Sequence, residues 1–300
     1  MRKSSIKGLD TAVSAISIGA MSLDYQDPST SRYILDKAQE CGVNFVDTAD
    51  LYNQGQNESL IGSLIKDNRS NWLLGTKVGN SWKADGSGWE WKPSKQYILQ
   101  AVEASLQRLQ TDYIDLYQLH GGTLDDPFDD ILEAFALLKE QGKIRAYGIS
   151  SIRPNVFLKY AQDGRISTNL MQYSLLDRRP EEYLQKLEEA DVAVFVRGAL
   201  AQGLLIDKPA KAYLSLDEAS VAKAQSMIKA SAHLYNLAPL TLALAYPLAQ
   251  KAVKTVVAGI RTKAQMDDLA KAIQQLEEVP KEVLSDLYEK LPTICYTDHR

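Results

Sequence analysis

Three apolar segments of this 300-residue chain each end on an ionisable side chain. Val43-Asn44-Phe45-Val46 runs into Asp47, with Tyr52 five residues further on. Asn71-Trp72-Leu73-Leu74-Gly75-Thr76 runs into Lys77, and Tyr113-Ile114-Asp115-Leu116-Tyr117-Gln118-Leu119 runs into His120. On neighbouring parallel strands, a carboxylate, a phenol, an ammonium and an imidazole would meet at one rim of one sheet. Such a set can move a proton. A free tyrosine titrates near 10, too high for easy exchange at neutral pH, and an adjacent ammonium favours its phenolate. A carboxylate in turn keeps a buried lysine charged, because an unpaired buried ammonium tends to lose its proton. The imidazole can hydrogen-bond a substrate oxygen or share the proton with the phenol. Taken singly, each residue has a plainer reading. Asp47-Thr48 could cap a turn, Tyr52 could be a half-exposed aromatic, Lys77 a surface or Schiff-base lysine, and His120 a core histidine. Their joint placement at three consecutive strand ends argues for a site.

Positioning such a cluster requires strands running side by side in one direction. Strand-like runs at 16–19, 43–47, 72–76, 114–119, 144–149, 168–172, 192–196 and 254–258 alternate with helical patterns. Asp27-Pro28 is a helix start, and Ile34, Ala38 and Cys41 recur at helical spacing until Gly42. Ser94 can cap a helix whose inner face is Ile98, Val102, Leu106 and Leu109. Pro127 opens another with Ile131, Phe135 and Leu138 inward, ended by Gly142. Eight alternations predict an α/β fold, a (β/α)8 TIM barrel, as a single domain over residues 1–300. No Pro/Gly-rich linker or low-complexity segment divides the chain. An open doubly wound sheet would place a glycine-rich phosphate turn after its first strand, and Ile16-Ser17-Ile18-Gly19-Ala20-Met21 lacks one.

Bulk composition narrows the function classes. A hydrophobic fraction of 45% suffices for a large core, and a net charge of −4 argues against a broad cationic face for nucleic acid or anionic lipid. No long apolar run follows Arg2, Lys3 and Lys7, so no secretory signal is predicted. No stretch approaches the roughly 18 apolar residues of a membrane span. Cys41 is predicted to be a buried thiol, and neither it nor Cys295 has metal-ligand spacing, so no metal is expected. The composition fits a soluble protein of a reducing cytoplasm. No nucleic-acid, membrane or obligate protein partner is visible in it.

Phe45-Val46-Asp47-Thr48-Ala49-Asp50-Leu51-Tyr52 with Glu58 and Gly62, then Thr76-Lys77, then Asp115-Leu116-Tyr117-Gln118-Leu119-His120, resemble the aldo-keto reductases. The likeness is greatest to their bacterial branch, which includes the potassium-channel β-subunit type, and runs from about Leu9 to Leu276. It implies a barrel enzyme that binds NADPH without a Rossmann domain. Tyr52 would be its general acid, Lys77 and Asp47 the tuning pair, and His120 the residue orienting the substrate carbonyl. The resemblance also implies a cofactor lying across the other strand ends, touching Gly19, Met21 and Asp47. The family presents Ser-Asn and Gln to the nicotinamide carboxamide where this chain has Ser150, Ser151 and Gln172, with Ser151 in the place of the Asn. Arg197 to Leu204 resembles the loop over the pyrophosphate, with Arg197, Gly198, Leu200, Gln202, Gly203 and Leu204 as contacts. Many members carry an aromatic near position 197; the planar guanidinium of Arg197 can stack instead or contact a phosphate.

The segment Gly259-Ile260-Arg261-Thr262-Lys263-Ala264-Gln265 is also informative without the family. Thr262 and Gln265 have capping-box spacing, and helix N-termini after strands seven and eight of barrels are frequent phosphate sites. Arg261 and Lys263 beside that terminus suit an extra phosphate on the adenosine ribose, favouring NADPH over NADH. The family motif matches at Gly259, Arg261 and Gln265, while Leu269 stands where an adenine-contacting Asn is usual. At the substrate end, Trp82, Trp89 and Trp91 lie among Gly and Ser in a loop at 79–93, which suggests an apolar pocket wall with Trp82 in contact. The short loop after His120 and the brief tail at 295–300 predict an open pocket and a broad range of small carbonyl substrates. Two other readings are a Schiff-base aldolase using Lys77, and a redox-sensing subunit that binds NADPH and turns over slowly.

Overall fold

The computed structural model describes residues 1–300 and closes eight strands into a barrel. The strands are β1 (Ile16–Gly19), β2 (Phe45–Asp47), β3 (Leu73–Val78), β4 (Ile114–Leu119), β5 (Ile144–Ile149), β6 (Thr168–Gln172), β7 (Ala193–Arg197) and β8 (Val253–Gly259). All pair in parallel and in chain order, and β8 returns to β1 through Val256↔Ile16 to Gly259↔Gly19. Every predicted strand is present, its ends displaced by at most two residues. The helices are α1 (Pro28–Glu40), α2 (Gln56–Ile65), α3 (Lys95–Leu109), α4 (Phe128–Glu140), α5 (Pro154–Asp163) and α6 (Glu181–Glu189). They continue with α7 (Glu218–Leu234), α8 (Pro239–Leu248), α9 (Lys263–Gln275) and α10 (Lys281–Lys290). No helix is long and apolar enough to cross a membrane.

Helices α1, α3 and α9 start where short polar side chains satisfy free N–H groups. Asp27 accepts from Thr30, Ser94 from Tyr97 and Thr262 from Gln265. Cys41, predicted buried, is instead half-exposed at the end of α1, because the helix stops one residue before it and turns at Gly42. Strand β2 starts at Phe45 rather than Val43. Asn44 is committed to a hairpin below the barrel, accepting from the Ser14 N–H at 2.9 Å and donating to the Ala12 carbonyl at 2.9 Å. That hairpin pairs Lys3–Ser4 with Val13–Ser14. Its Ile6 and Val13 join Phe45, Leu73, Leu116, Ala146, Leu170, Ala193, Phe195 and Val257 in one buried interior cluster. Gly75 is small because a Cβ there would lie 2.6 Å from the Phe45 ring.

Side chains alternate across a strand, so inward parity advances two residues at a time. Starting from the interior cluster, that parity reaches Asp47 from Phe45, Lys77 from Leu73, His120 from Leu116 and Ser150 from Ala146. It likewise reaches Gln172 from Leu170, Arg197 from Phe195 and Gly259 from Val257, with Gly19 paired to both Gly259 and Asp47. The interior packing that closes the barrel therefore aims one residue per strand at its C-terminal mouth.

Candidate active site

Lys77 is the centre of the mouth. It has no exposed surface, and its Nζ donates to Asp47 Oδ2 at 2.7 Å, to the Thr48 carbonyl at 2.6 Å and to the Tyr52 hydroxyl at 3.4 Å. Three acceptors meet the three N–H bonds of an ammonium. Burial alone would pull the Lys77 pKa down, but the Asp47 carboxylate, followed by Tyr52, more than offsets it and the group is held above its ordinary value. Burial pushes the Asp47 carboxyl up, against the pull of Lys77 and, further off, Arg197. His120 packs edge-on against Tyr52, with ring centroids 5.7 Å apart. Burial, with the Lys77 and Arg197 cations nearby, lowers the His120 pKa to about 3, and its Nδ1 is buried without a partner.

Tyr52 sits in the turn between β2 and α2, and that turn is anchored from below. The Thr48 hydroxyl donates to Asn57 Oδ1 at 2.6 Å, and Asn57 donates to the Ala20 carbonyl at 2.8 Å, tying β1, β2 and α2 together. Glu58, fully buried, accepts from the Thr76 hydroxyl at 2.6 Å and from Arg108 Nε at 2.7 Å. Gly55, at φ +82°, leaves room for that arginine, since a Cβ would fall 2.6 Å from its Nε. Between these anchors the Asp50 N–H donates to the Lys77 carbonyl at 3.2 Å while its Oδ1 is buried and unpartnered. Burial, then the nearby Glu58, pushes the Asp50 carboxyl up to about 8.

The remaining strand ends face the same mouth with different partners. Ser151 is buried, its Oγ accepting from the Arg153 N–H at 3.2 Å, while Ser150 is half-buried beside it. Gln172 donates to Asp177 Oδ2 and to the Tyr213 hydroxyl and accepts from Arg197. In the loop after β7, Gly198 adopts φ +71° and Gln202 φ +59°. Gln202 is exposed, Leu200 and Gly203 half-buried, and Leu204 fully buried, its N–H donating to the Ala201 carbonyl and its own carbonyl accepting from Gln225. Met21 is 68% exposed after β1. At the N-terminus of α9, Arg261 and Lys263 are exposed, and Gln265 accepts from the Arg261 N–H at 2.9 Å. Leu269 is fully buried on the inner face of that helix.

The segment predicted to be a tryptophan-bearing loop holds a hairpin, Asn80–Trp82 paired with Trp89–Trp91. Its three aromatic side chains separate in role. Trp82 leans over the Tyr52 turn, its Nε1 donating to the Leu51 carbonyl at 3.2 Å, and Trp89 is exposed. Trp91 packs over Gly79 and donates to Asp126 Oδ1 at 2.7 Å, so it belongs to the hairpin's own support. No cluster of three or more His, Cys, Asp or Glu side chains is placed to hold a metal ion.

The Aldo/keto reductase family model matches residues 15–291. The chain belongs to the aldo-keto reductases. It is 41% identical over 309 aligned residues to the uncharacterized oxidoreductase YqkF of Bacillus subtilis (strain 168), covering 100% of both chains. It is 30% identical to the NADH-specific methylglyoxal reductase of Escherichia coli (strain K12), across 85% of this chain and 86% of that one. Among solved structures, the holo form of aldo-keto reductase AKR11C1 from Bacillus halodurans matches with a TM-score of 0.93 at 43% identity, covering 100% of this chain and 99% of that one.

Aldo-keto reductases are oxidoreductases that use a nicotinamide cofactor, and the residues of this member fit such a group. Gly259 is the tightest point of the cradle: a Cβ there would stand 2.9 Å from Ser22 Oγ and crowd the rim between β8 and β1. The α9 N-terminus beyond it offers backbone N–H groups flanked by two exposed cations, suited to a phosphate. Sequence reasoning about this aldo-keto reductase missed Asp177, Arg179 and Tyr213 behind Gln172, and Glu58–Arg108 beneath the Tyr52 turn. Glu58 stands out in the sequence only as part of a motif. Nothing in the local pattern around Arg108 or Tyr213 marks either as supporting a rim residue.

Proposed function

We propose that this aldo-keto reductase is an NADPH-dependent carbonyl reductase of the cytoplasm, acting on small aldehydes and ketones, with residues 1–300 working as one barrel unit. The observation that carries the reading is the Lys77 ammonium, buried and shared between Asp47 and the Tyr52 hydroxyl at the mouth. A bound reduced nicotinamide supplies the hydride for the carbonyl carbon. Tyr52 donates its hydroxyl proton to the carbonyl oxygen as that oxygen gains charge. The phenolate left behind is stabilised by Lys77, which Asp47 and the Thr48 carbonyl hold in place. His120, neutral at working pH, holds the substrate oxygen by a hydrogen bond and leaves the proton donation to Tyr52.

Ser150, Ser151, Gln172 and the loop from Arg197 to Leu204 would hold the nicotinamide and pyrophosphate, with Gly19 and Met21 opposite. Arg261 and Lys263 would hold the ribose phosphate, which is why NADPH is preferred over NADH in this reading. The Schiff-base alternative fares poorly. An amine nucleophile needs a free lone pair, and Lys77 is held charged by three acceptors. The test is titration with NADPH and NADH, followed by oxidation of the bound form with a panel of small aldehydes and ketones. Tighter NADPH binding and turnover of several aldehydes are expected; absence of turnover across the panel despite cofactor binding would overturn the reading.

A further inference from the structure

Gln172 ends β6 with both hydrogens of its side-chain amide committed. Nε2 donates to Asp177 Oδ2 at 2.8 Å and to the Tyr213 hydroxyl at 3.0 Å, while Oε1 accepts from Arg197 Nη1 at 3.3 Å. The chemistry of two partners forces this orientation. A carboxylate paired to an arginine only accepts and a guanidinium only donates, so a flipped amide would set oxygen against Asp177 and NH2 against Arg197. Asp177 is itself immobile. It is fully buried and takes a two-pronged bond from Arg179, Nε to Oδ1 at 2.7 Å and Nη2 to Oδ2 at 2.8 Å. Its N–H donates to Ser174 Oγ at 3.0 Å, and the chain's own tail covers the clamp, with the Tyr296 ring 4.8 Å from the Arg179 guanidinium carbon. What Gln172 has left for a ligand is a lone pair on Oε1.

We propose that Asp177, clamped by Arg179, is a positioning residue that fixes Gln172 as an acceptor-only group towards a nicotinamide carboxamide, an inference that rests on the nicotinamide reading above. The carboxamide NH2 is then the end that Gln172 recognises. The carbonyl end falls to groups that can donate, and the half-buried Ser150 hydroxyl qualifies: it lies on the inward parity of β5, whereas Ser151 has the opposite parity and turns its Oγ to the Arg153 N–H. Asn169 cannot take that part, since it spends its amide on the Ser151 backbone, accepting from the N–H at 3.1 Å and donating to the carbonyl at 3.2 Å.

The test uses the 3-acetylpyridine analogue of the oxidised dinucleotide, in which a methyl group replaces the carboxamide NH2. Dissociation constants for the parent and the analogue are measured by calorimetry on the full chain, in whichever phosphate form the wild type binds. The wild type is expected to bind the analogue about tenfold more weakly, the loss of one hydrogen bond to a fixed acceptor. In Asp177→Asn, whose amide can donate to a turned Gln172, that gap should shrink to about threefold or less. Tyr213→Phe leaves Asp177 in place and should keep it. Equal binding of both compounds by the wild type overturns the proposal, as does a full gap in Asp177→Asn. Should Asp177→Asn fail to fold, Arg179→Gln replaces it, and an unchanged gap there overturns the proposal equally. A wild type that binds neither NADP+ nor NAD+ instead overturns the nicotinamide reading on which the proposal rests.

Discussion

Asp47, Lys77 and Tyr52 act as one electrostatic unit, and the stability of the mouth should reveal it. Lys77 and Asp47 are buried together at 2.7 Å, so neither can lose its partner cheaply. Removing only the cation, in Lys77→Met, leaves a carboxylate in a desolvated site and should cost about 3–5 kcal/mol of unfolding free energy. Removing both charges, in Asp47→Asn/Lys77→Met, should recover at least half of that, read from urea denaturation of the four members of the cycle. A double variant no more stable than Lys77→Met would contradict a coupled pair. Asp47, Lys77 and His120 were readable in advance because each lies within one residue of a strand end, and Tyr52 because it follows Asp47 in the adjoining turn. Their bonding partners within the barrel were not, since the Thr48 carbonyl carries no sequence signal.

The segment from β2 to α2 carries a built-in conflict. It must hold Tyr52 over Lys77, and doing so buries Asp50 with one oxygen unpartnered. Burial raises the folded-state pKa of Asp50 to about 8 from an unfolded value of 3.8, so the folded chain binds this proton more tightly. The contribution to stability is therefore complete below about pH 4, declines as pH rises from there through about 8, and is gone above it. Relative to Asp50→Asn, the wild type should lose about 1.4 kcal/mol per pH unit between pH 5 and 7 in denaturant unfolding. A gap between the two that stays constant over this range would contradict a buried, protonated Asp50. The sequence shows Asp50 only as one more polar residue in a motif. Its environment is made by Glu58 on α2 and Arg108 on α3, brought together by packing that no local pattern encodes.

At the scale of the whole molecule, the barrel turns distant strand ends into neighbours, and that much was legible. Parallel strands buried on both faces read as short apolar runs, and capping residues such as Ser94 and Thr262 mark the helix starts between them. The hairpin at 80–91 was not legible, because its strands are short and its Gly and Ser residues look like loop. Nor was the clamp on Gln172, whose partners lie five and 41 residues along the chain and meet it only when the barrel is closed. In the proposed reaction, a hydride from one side of the mouth and the Tyr52 proton from the other meet on one carbonyl. The most direct test follows deuterium from NADPH deuterated at both C4 positions into the alcohol formed from an aldehyde, by NMR, in the wild type and Tyr52→Phe. The wild type should place deuterium on the former carbonyl carbon, and Tyr52→Phe should bind NADPH as tightly yet transfer it at least about 100-fold more slowly. Deuterium transfer by Tyr52→Phe at the wild-type rate, or none by a wild type that binds the cofactor, would contradict the account.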